Sequence, residues 1–189
     1  QAEEYIFVED QYWRMPMLAD RIITRMQEVP GLKLLVITQP VNEWLDPACE
    51  WTYAFDLELR QALGAGRYRM VQLRTFDYTQ DLDLFLGWNE TVGIFGDINV
   101  HSKLLIVDDR FVSVGSCNKN NRGLIYEGEL NAAVLDDDFA RDARRRVFAN
   151  VLPPGTTPTD NVATWWQQFA AAAAFNDSVV WNWEDVGYD

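Results

Sequence analysis

The sequence predicts an α/β fold built on a mixed, mainly parallel sheet with helices on both faces. Aliphatic or aromatic runs alternate with amphipathic segments in β-α-β order, an arrangement that favours parallel strands joined by right-handed crossovers. Residues 32–38 are nearly all apolar, as in a strand covered on both faces. With 189 residues, 48% hydrophobic and 24% charged, the chain suits one globular domain with a substantial core. Residues 5–152 are expected to form that core, and 153–189 a linker, a helix and a tail.

Residues 5–9 read as a buried strand. A helix follows from Pro16, with Leu18, Ile22 and Met26 as its apolar stripe, and Pro30-Gly31 stops it. After strand 32–38 comes a loop, residues 39–51, holding Trp44 and Trp51, then a helix over 50–63 closed by Gly64 and Gly66, then a strand over 68–75. Residues 76–99 show no regular period. Their aromatics Tyr78, Phe85, Trp88 and Phe95, with Trp44 and Trp51, suit either a core or an apolar rim for an acyl chain or membrane interface. Residues 100–107 and 111–114 read as strands around a turn at Asp108-Asp109-Arg110, and 130–135 as another strand. Asp136, Asp137 and Asp138 begin a helix over 139–151 whose Arg141, Arg144, Arg145 and Arg146 read as a solvated face. The stretch 153–160 is linker-like. In the helix 162–175, Trp165 and Phe169 form a stripe that packs on the parent domain, and the tail 179–183 reads as a short docked strand.

A net charge of −13 repels a nucleic acid duplex unless basic residues gather on one face, so nucleic acid is an unfavoured partner. Cys49 and Cys117 lack metal-ligand spacing and read as free thiols, and no metal site is expected. No stretch reads as a leader, and no apolar run is long enough to cross a bilayer; a soluble or peripheral protein is the expectation.

The chemistry concentrates between Asn99 and Glu129. His101, the sole histidine, stands two residues before Lys103, so on a strand both side chains share a face. The returning strand brings Ser116 toward Lys103. Gly115 lets backbone approach a ligand, while Ser116 and Asn118 offer hydrogen bonds. A nucleophile candidate, a fixed cation and polar donors are what attack on a phosphodiester requires, because the attacked state spreads charge over non-bridging oxygens. Lys103, Ser116 and Asn118 are the expected phosphate-binding groups, His101 the nucleophile or general acid, and Glu129 the carboxylate that orients the imidazole.

His101, Lys103 and Asp108 together resemble the HxKxxxxD motif of the phospholipase D superfamily. Residues 115–118, Gly-Ser-Cys-Asn, resemble its GSxN sequel, and Glu129 its following acid. Residues 5–13, YIFVEDQYW, resemble the opening of the second half of two-motif members, so the resemblance spans about residues 5–150. Cys117 and Gly123 stand where small residues and serine are usual. The resemblance implies a phospholipase D-like half with Asp108 and Gly115 as structural motif positions. It also implies a phosphohistidine mechanism on phospholipids at a membrane surface, with no metal or organic cofactor. Such a mechanism needs two motifs and this chain has one, so the expected partner is a second HxKxxxxD half, either the N-terminal half of the same chain or a homodimer mate. A nuclease or other phosphodiesterase of the superfamily, and a non-catalytic interaction domain, are the alternatives.

Overall fold

A computed structural model of the chain describes residues 1–41, 48–83 and 87–184. Six strands form the main sheet, in the order β10-β8-β7-β1-β3-β4: β1 Tyr5–Asp10, β3 Lys33–Thr38, β4 Tyr68–Gln72, β7 Lys103–Val107, β8 Phe111–Gly115 and β10 Asn131–Leu135. β1, β3 and β4 are parallel, as the β-α-β reading requires. The motif-bearing half, β1-β7-β8-β10, is antiparallel throughout; a three-residue turn joins β7 to β8, and residues 116–130 return the chain from β8 to β10. The sheet is thus mixed, with its parallel character confined to one side.

Strand alternation sends apolar residues to two separate cores. Leu34 and Val36 of β3 face α1, Pro16–Glu28, and α2, Cys49–Leu63, meeting Ile22, Met26, Phe55 and Leu59. Leu35 and Ile37 face the other way, with Tyr5 and Phe7, toward α3, Asp137–Val151, and α4, Val162–Glu184. There the Trp165 ring sits edge-on to Tyr5 and Phe148, at centroid distances of 5.3 and 5.2 Å. The segment after the linker is therefore part of the core and not an appendage to it.

Three expectations change. Residues 76–99 are not irregular: β5 Arg74–Asp83 and β6 Trp88–Asp97 form a long antiparallel hairpin, register Arg74↔Asp97 to Asp83↔Trp88, apart from the main sheet. Its acids and glycines masked a period-two pattern, visible as Phe76 and Tyr78 on one strand facing Phe95 and Gly93 on the other. Phe76 and Tyr78 remain exposed, as does Trp51, whereas Trp44, Phe85 and the side chain of Trp88 lie outside the described residues. Second, residues 179–183 continue α4 and are not a strand. The alanine run before them carries high helix propensity through the boundary.

Third, Arg144 is not on a solvated face: it is fully buried. Its guanidinium donates to both carboxylate oxygens of Asp109, at 2.7 and 2.8 Å, to Asp160 at 2.8 Å and to the Thr159 carbonyl at 2.9 Å. Tyr5 donates its hydroxyl to Asp109 at 2.6 Å, and burial first, then that carboxylate, raise its pKa far above the ordinary tyrosine range. This knot joins β1, the β7–β8 turn, α3 and the linker. A helical period alone cannot distinguish Arg144 from Arg145, which is half exposed and pairs with Asp160.

Hydrogen bonding first from Arg145 and then from Arg144 holds the Asp160 carboxyl at about 2. A carboxyl depressed by folding adds stability above its unfolded value, near 3.9, and loses it as pH falls through its folded value. Asp160→Asn should therefore lower the urea midpoint at pH 7, and the gap between variant and wild type should close between about pH 4 and pH 2. Because the Asp160 side chain is 46% exposed, solvent screening keeps the effect modest. A gap independent of pH would remove the ion pairs as its cause.

Candidate active site

The carboxyl end of β1 and the start of β7 lie side by side, with Asp10 opposite Lys103. β7 begins at Lys103, not at Val100, because β1 ends at Asp10 and offers no ladder partner further on. His101 therefore stands just outside the sheet and is exposed, while Lys103 is buried, with 6% exposure. The Lys103 ammonium donates to the His101 carbonyl at 2.7 Å and reaches the Gln11 side-chain oxygen at 3.5 Å. It is thus fixed at the backbone of the histidine. Ser102 donates to the Glu9 carboxylate, holding the intervening residue down.

β7 and β8 pair with Leu104 opposite Val114, a register that continued one step sets Lys103 across from Gly115. A Cβ on Gly115 would lie 2.2 Å from the Leu130 carbonyl and 2.1 Å from Asn131 Oδ1, so only glycine fits this approach to β10. Gly123 plays the same part beyond it, where a Cβ would come within 2.5 Å of the Asn118 carbonyl oxygen. Gly123 belongs to a short π-helical turn, Arg122–Tyr126, of a kind that recurs at functional sites. Asn118 sits between these glycines with its side-chain oxygen buried and without a hydrogen-bond partner among the described residues.

Asp108 lies at the far end of β7, with positive φ at 54°. Its carboxylate accepts from the backbone N–H groups of Glu3, Glu4 and Tyr5, at 2.7, 2.8 and 2.8 Å, and so staples the start of β1 to the hairpin. It sits at the opposite end of the strand from His101. Glu129 is at the site, but it accepts from the Ser116 hydroxyl, which in turn accepts from Leu130 N. No side chain among the described residues hydrogen-bonds the His101 imidazole, so Glu129 holds Ser116 rather than the ring.

Several residues that shape the site were not singled out from the sequence. Asp10 is fully buried and accepts from Tyr12 N at 3.0 Å, Lys119 N at 3.1 Å and Lys119 Nζ at 3.0 Å. Lys119 Nζ also donates to the Cys117 carbonyl at 3.2 Å. The short strands β2, Trp13–Arg14, and β9, Lys119–Asn120, pair in parallel beside this ion pair. Burial raises the Asp10 pKa, opposed chiefly by the Lys119 charge, and burial likewise pushes the Cys117 thiol up. Asp10 and Lys119 stand 109 residues apart, and only the complementary charge of two residues near the motif could have hinted at the pair.

The family model described as cardiolipin synthase, PLD-like domain, matches residues 1–149. Phospholipase D B of Dictyostelium discoideum is 27% identical over 160 residues, covering 74% of this chain and 13% of that protein. Cardiolipin synthase 1 of Staphylococcus aureus is 42% identical over 45 residues, covering 24% of this chain and 9% of that protein. The chain thus spans a small fraction of the length of these curated relatives. Among solved structures, NucT from Helicobacter pylori superposes with a TM-score of 0.51 at 14% identity, covering 79% of each chain. Nuc from Salmonella typhimurium, described as a phospholipase D family member, gives 0.51 at 13% identity over 80% of this chain and 79% of that one. These structures share the α/β fold. The chain belongs to the cardiolipin synthase, PLD-like domain family, within the phospholipase D superfamily.

Removing one partner of a buried ion pair leaves an uncompensated charge, at a cost of about 3–5 kcal/mol. Lys119→Met should destabilise the chain by that order in urea denaturation, and Asp10→Asn with Lys119→Met should recover most of it. A double variant no more stable than the single one would mean that packing, not charge pairing, ties β9 to β1.

Proposed function

We propose that the chain supplies one half of a phosphodiesterase or phosphatidyltransferase site acting on phospholipids. The observation that carries the reading is an exposed imidazole at His101 beside a buried, anchored ammonium at Lys103, with the Ser116 and Asn118 side chains at the adjoining strand end. In the proposed reaction an imidazole nitrogen of His101 attacks phosphorus, the bond to the head-group oxygen breaks, and a general acid protonates the departing alkoxide. Water or an alcohol then displaces the histidine from phosphorus. Lys103, Ser116 and Asn118 stabilise charge on the non-bridging oxygens in both steps. Should the other half supply the nucleophile, His101 serves as the acid. No metal or organic cofactor is required, because the cation at the phosphate is Lys103.

The partner we propose is a second half bearing the same motif, from a longer chain or a homodimer mate. β10 is an edge strand, and Leu130 just before it, Leu135 at its end and Val114 on the paired strand are all at least half exposed. An open edge with apolar neighbours is ordinarily covered. The unbonded imidazole fits the same reading, since a facing half would hold it. The phospholipid substrate implies peripheral contact with a membrane surface, and no helix of the described residues is long and apolar enough to cross one. A nuclease reading meets the charge of −13 and would show as binding that falls steeply with salt.

In the full active assembly, Lys103→Ala should cut phospholipid turnover by about a hundredfold or more, as loss of an oxyanion donor does. Arg146→Ala, whose side chain is 78% exposed, should change it little. Equal small effects would place the site elsewhere. Glu129→Gln should lower turnover without matching loss of thermal stability, because the amide keeps a contact to Ser116 but removes the charge beside the phosphate site. A strictly monomeric chain that turns over a phosphodiester at about 1 per second or faster would overturn the need for a second half.

A further inference from the structure

The Lys103 ammonium carries three N–H donors. One goes to the His101 carbonyl at 2.7 Å and a second reaches the Gln11 side-chain oxygen at 3.5 Å, which leaves the third for a ligand. That arrangement orients the Gln11 carboxamide. An ammonium donates and never accepts, so the atom turned toward it is the oxygen, and the amide nitrogen with its two hydrogens is turned away. Among the described residues nothing accepts a hydrogen bond from that nitrogen. Gln11 is half-buried, and the nitrogen keeps access to solvent.

Gln11 is held by its backbone as well. It directly follows β1, whose last residue, Asp10, stands opposite Lys103. Its carbonyl accepts from the Thr38 hydroxyl at 3.2 Å, and both Asp10 and Thr38 are buried. A long side chain pinned at its backbone and at its oxygen loses less conformational freedom when it grips a ligand. Ser116 stands differently. Its single hydroxyl proton goes to Glu129, so it must give up that contact before it donates to a ligand, whereas the Gln11 donors are unspent.

The oxygen and nitrogen of a carboxamide lie about 2.2 Å apart, so the Gln11 nitrogen is within about 5.7 Å of the Lys103 ammonium. Two donors so placed can each take one non-bridging oxygen of the same phosphate at ordinary lengths of about 2.7–3.2 Å. We propose that Gln11 is a phosphate-binding residue of this site, its side-chain N–H donating to one non-bridging oxygen of the diester while Lys103 donates to the other. It rests on the reading of His101 as the phosphodiester centre and adds to it a neutral donor that no charge or motif marks. In the attacked state negative charge spreads over the non-bridging oxygens, so this hydrogen bond strengthens there and acts on kcat as well as on binding.

The test uses the full active assembly and three short-chain substrates below their aggregation limits: dibutyryl phosphatidylglycerol and its two phosphorothioate diastereomers, in each of which sulfur replaces a different non-bridging oxygen. Gln11→Leu should lower kcat/KM for the oxygen diester roughly ten- to a hundredfold, the worth of a hydrogen bond to a charged group. The same loss is expected on the diastereomer that keeps oxygen at Gln11. On the other, where sulfur, a weak acceptor, already stands in its place, the loss should be less than about threefold. A residue that only holds Lys103 would cost both diastereomers alike, so equal losses overturn the proposal, as does no loss. Gln11→Met, close in length and shape but without a donor, should repeat the pattern and is read in place of Gln11→Leu if that variant fails thermal unfolding controls. Unfolding by both substitutions would make Gln11 structural and overturn the proposal. A second readout is calorimetric binding of inorganic phosphate to the same assembly, whose Kd should rise about threefold or more in Gln11→Leu. If wild type turns over none of the three diesters, the phosphodiesterase reading fails; the weakened phosphate binding would then still stand for Gln11 as an anion donor, and unchanged or absent binding would remove it.

Discussion

Asp10 holds the functional end of the molecule together. Its carboxylate is wholly buried and accepts three hydrogen bonds, two of them from Lys119. An ionised carboxylate in such a place is costly unless paired, and the raised pKa records that cost working against the Lys119 charge. The pair binds the last residue of the central strand to the segment that follows Asn118. An ionic contact across 109 residues of chain therefore helps hold the segment after Asn118 beside the end of the strand that pairs with Lys103.

The same strand is fastened at its other end by a second set of carboxylates. Asp108 takes three backbone N–H groups at the start of β1, and Asp109 takes the Tyr5 hydroxyl and the buried Arg144. β1 is thus clamped by charge at both ends and bordered by β3 and β7 along its length. Strands and helices here supply apolar burial on both faces, the backbone ladder sets β7 against β1, and the Asp10–Lys119 ion pair ties β9 to the end of β1. A buried ionic contact adds little net stability over a well-packed apolar one, but losing one partner of it is costly.

What was legible in the sequence was local. The period of α1, the apolar run of β3, the cap at Asp136 and the motif hairpin all rest on contacts within a few residues, and each element formed within one to three residues of its expected bounds. Among the candidate site residues, Lys103 opens β7 and Ser116 directly follows β8, the strand paired with it, because the hairpin between them is local. What was not legible was long-range. Arg144 and Arg145 are neighbours on one helix, and nothing local says that the first is buried against Asp109 while the second is half exposed. Glu129 was expected at the imidazole because a triad offers that role, yet the turn before β10 delivers its carboxylate to Ser116. The β5–β6 hairpin escaped notice because its strands pair with each other and not with the sheet, so little of its surface needs to be apolar.

If the proposed phosphodiester reading holds, an acidic chain must confine its positive charge to meet an anionic substrate. Lys103 is sheathed by protein and anchored to a carbonyl rather than to a carboxylate, so its charge is not cancelled by a nearby anion. Lys119, by contrast, is neutralised by Asp10 and Arg144 by Asp109 and Asp160, which makes them parts of the frame. The distinction follows from the partner each cation has: a carbonyl neutralises part of a charge and leaves the rest to act on a ligand, whereas a carboxylate consumes it. By that criterion Lys103 is the cation that the proposed reaction would have at the phosphate. The exposed pair Arg122–Glu127 falls between the two classes, screened by water.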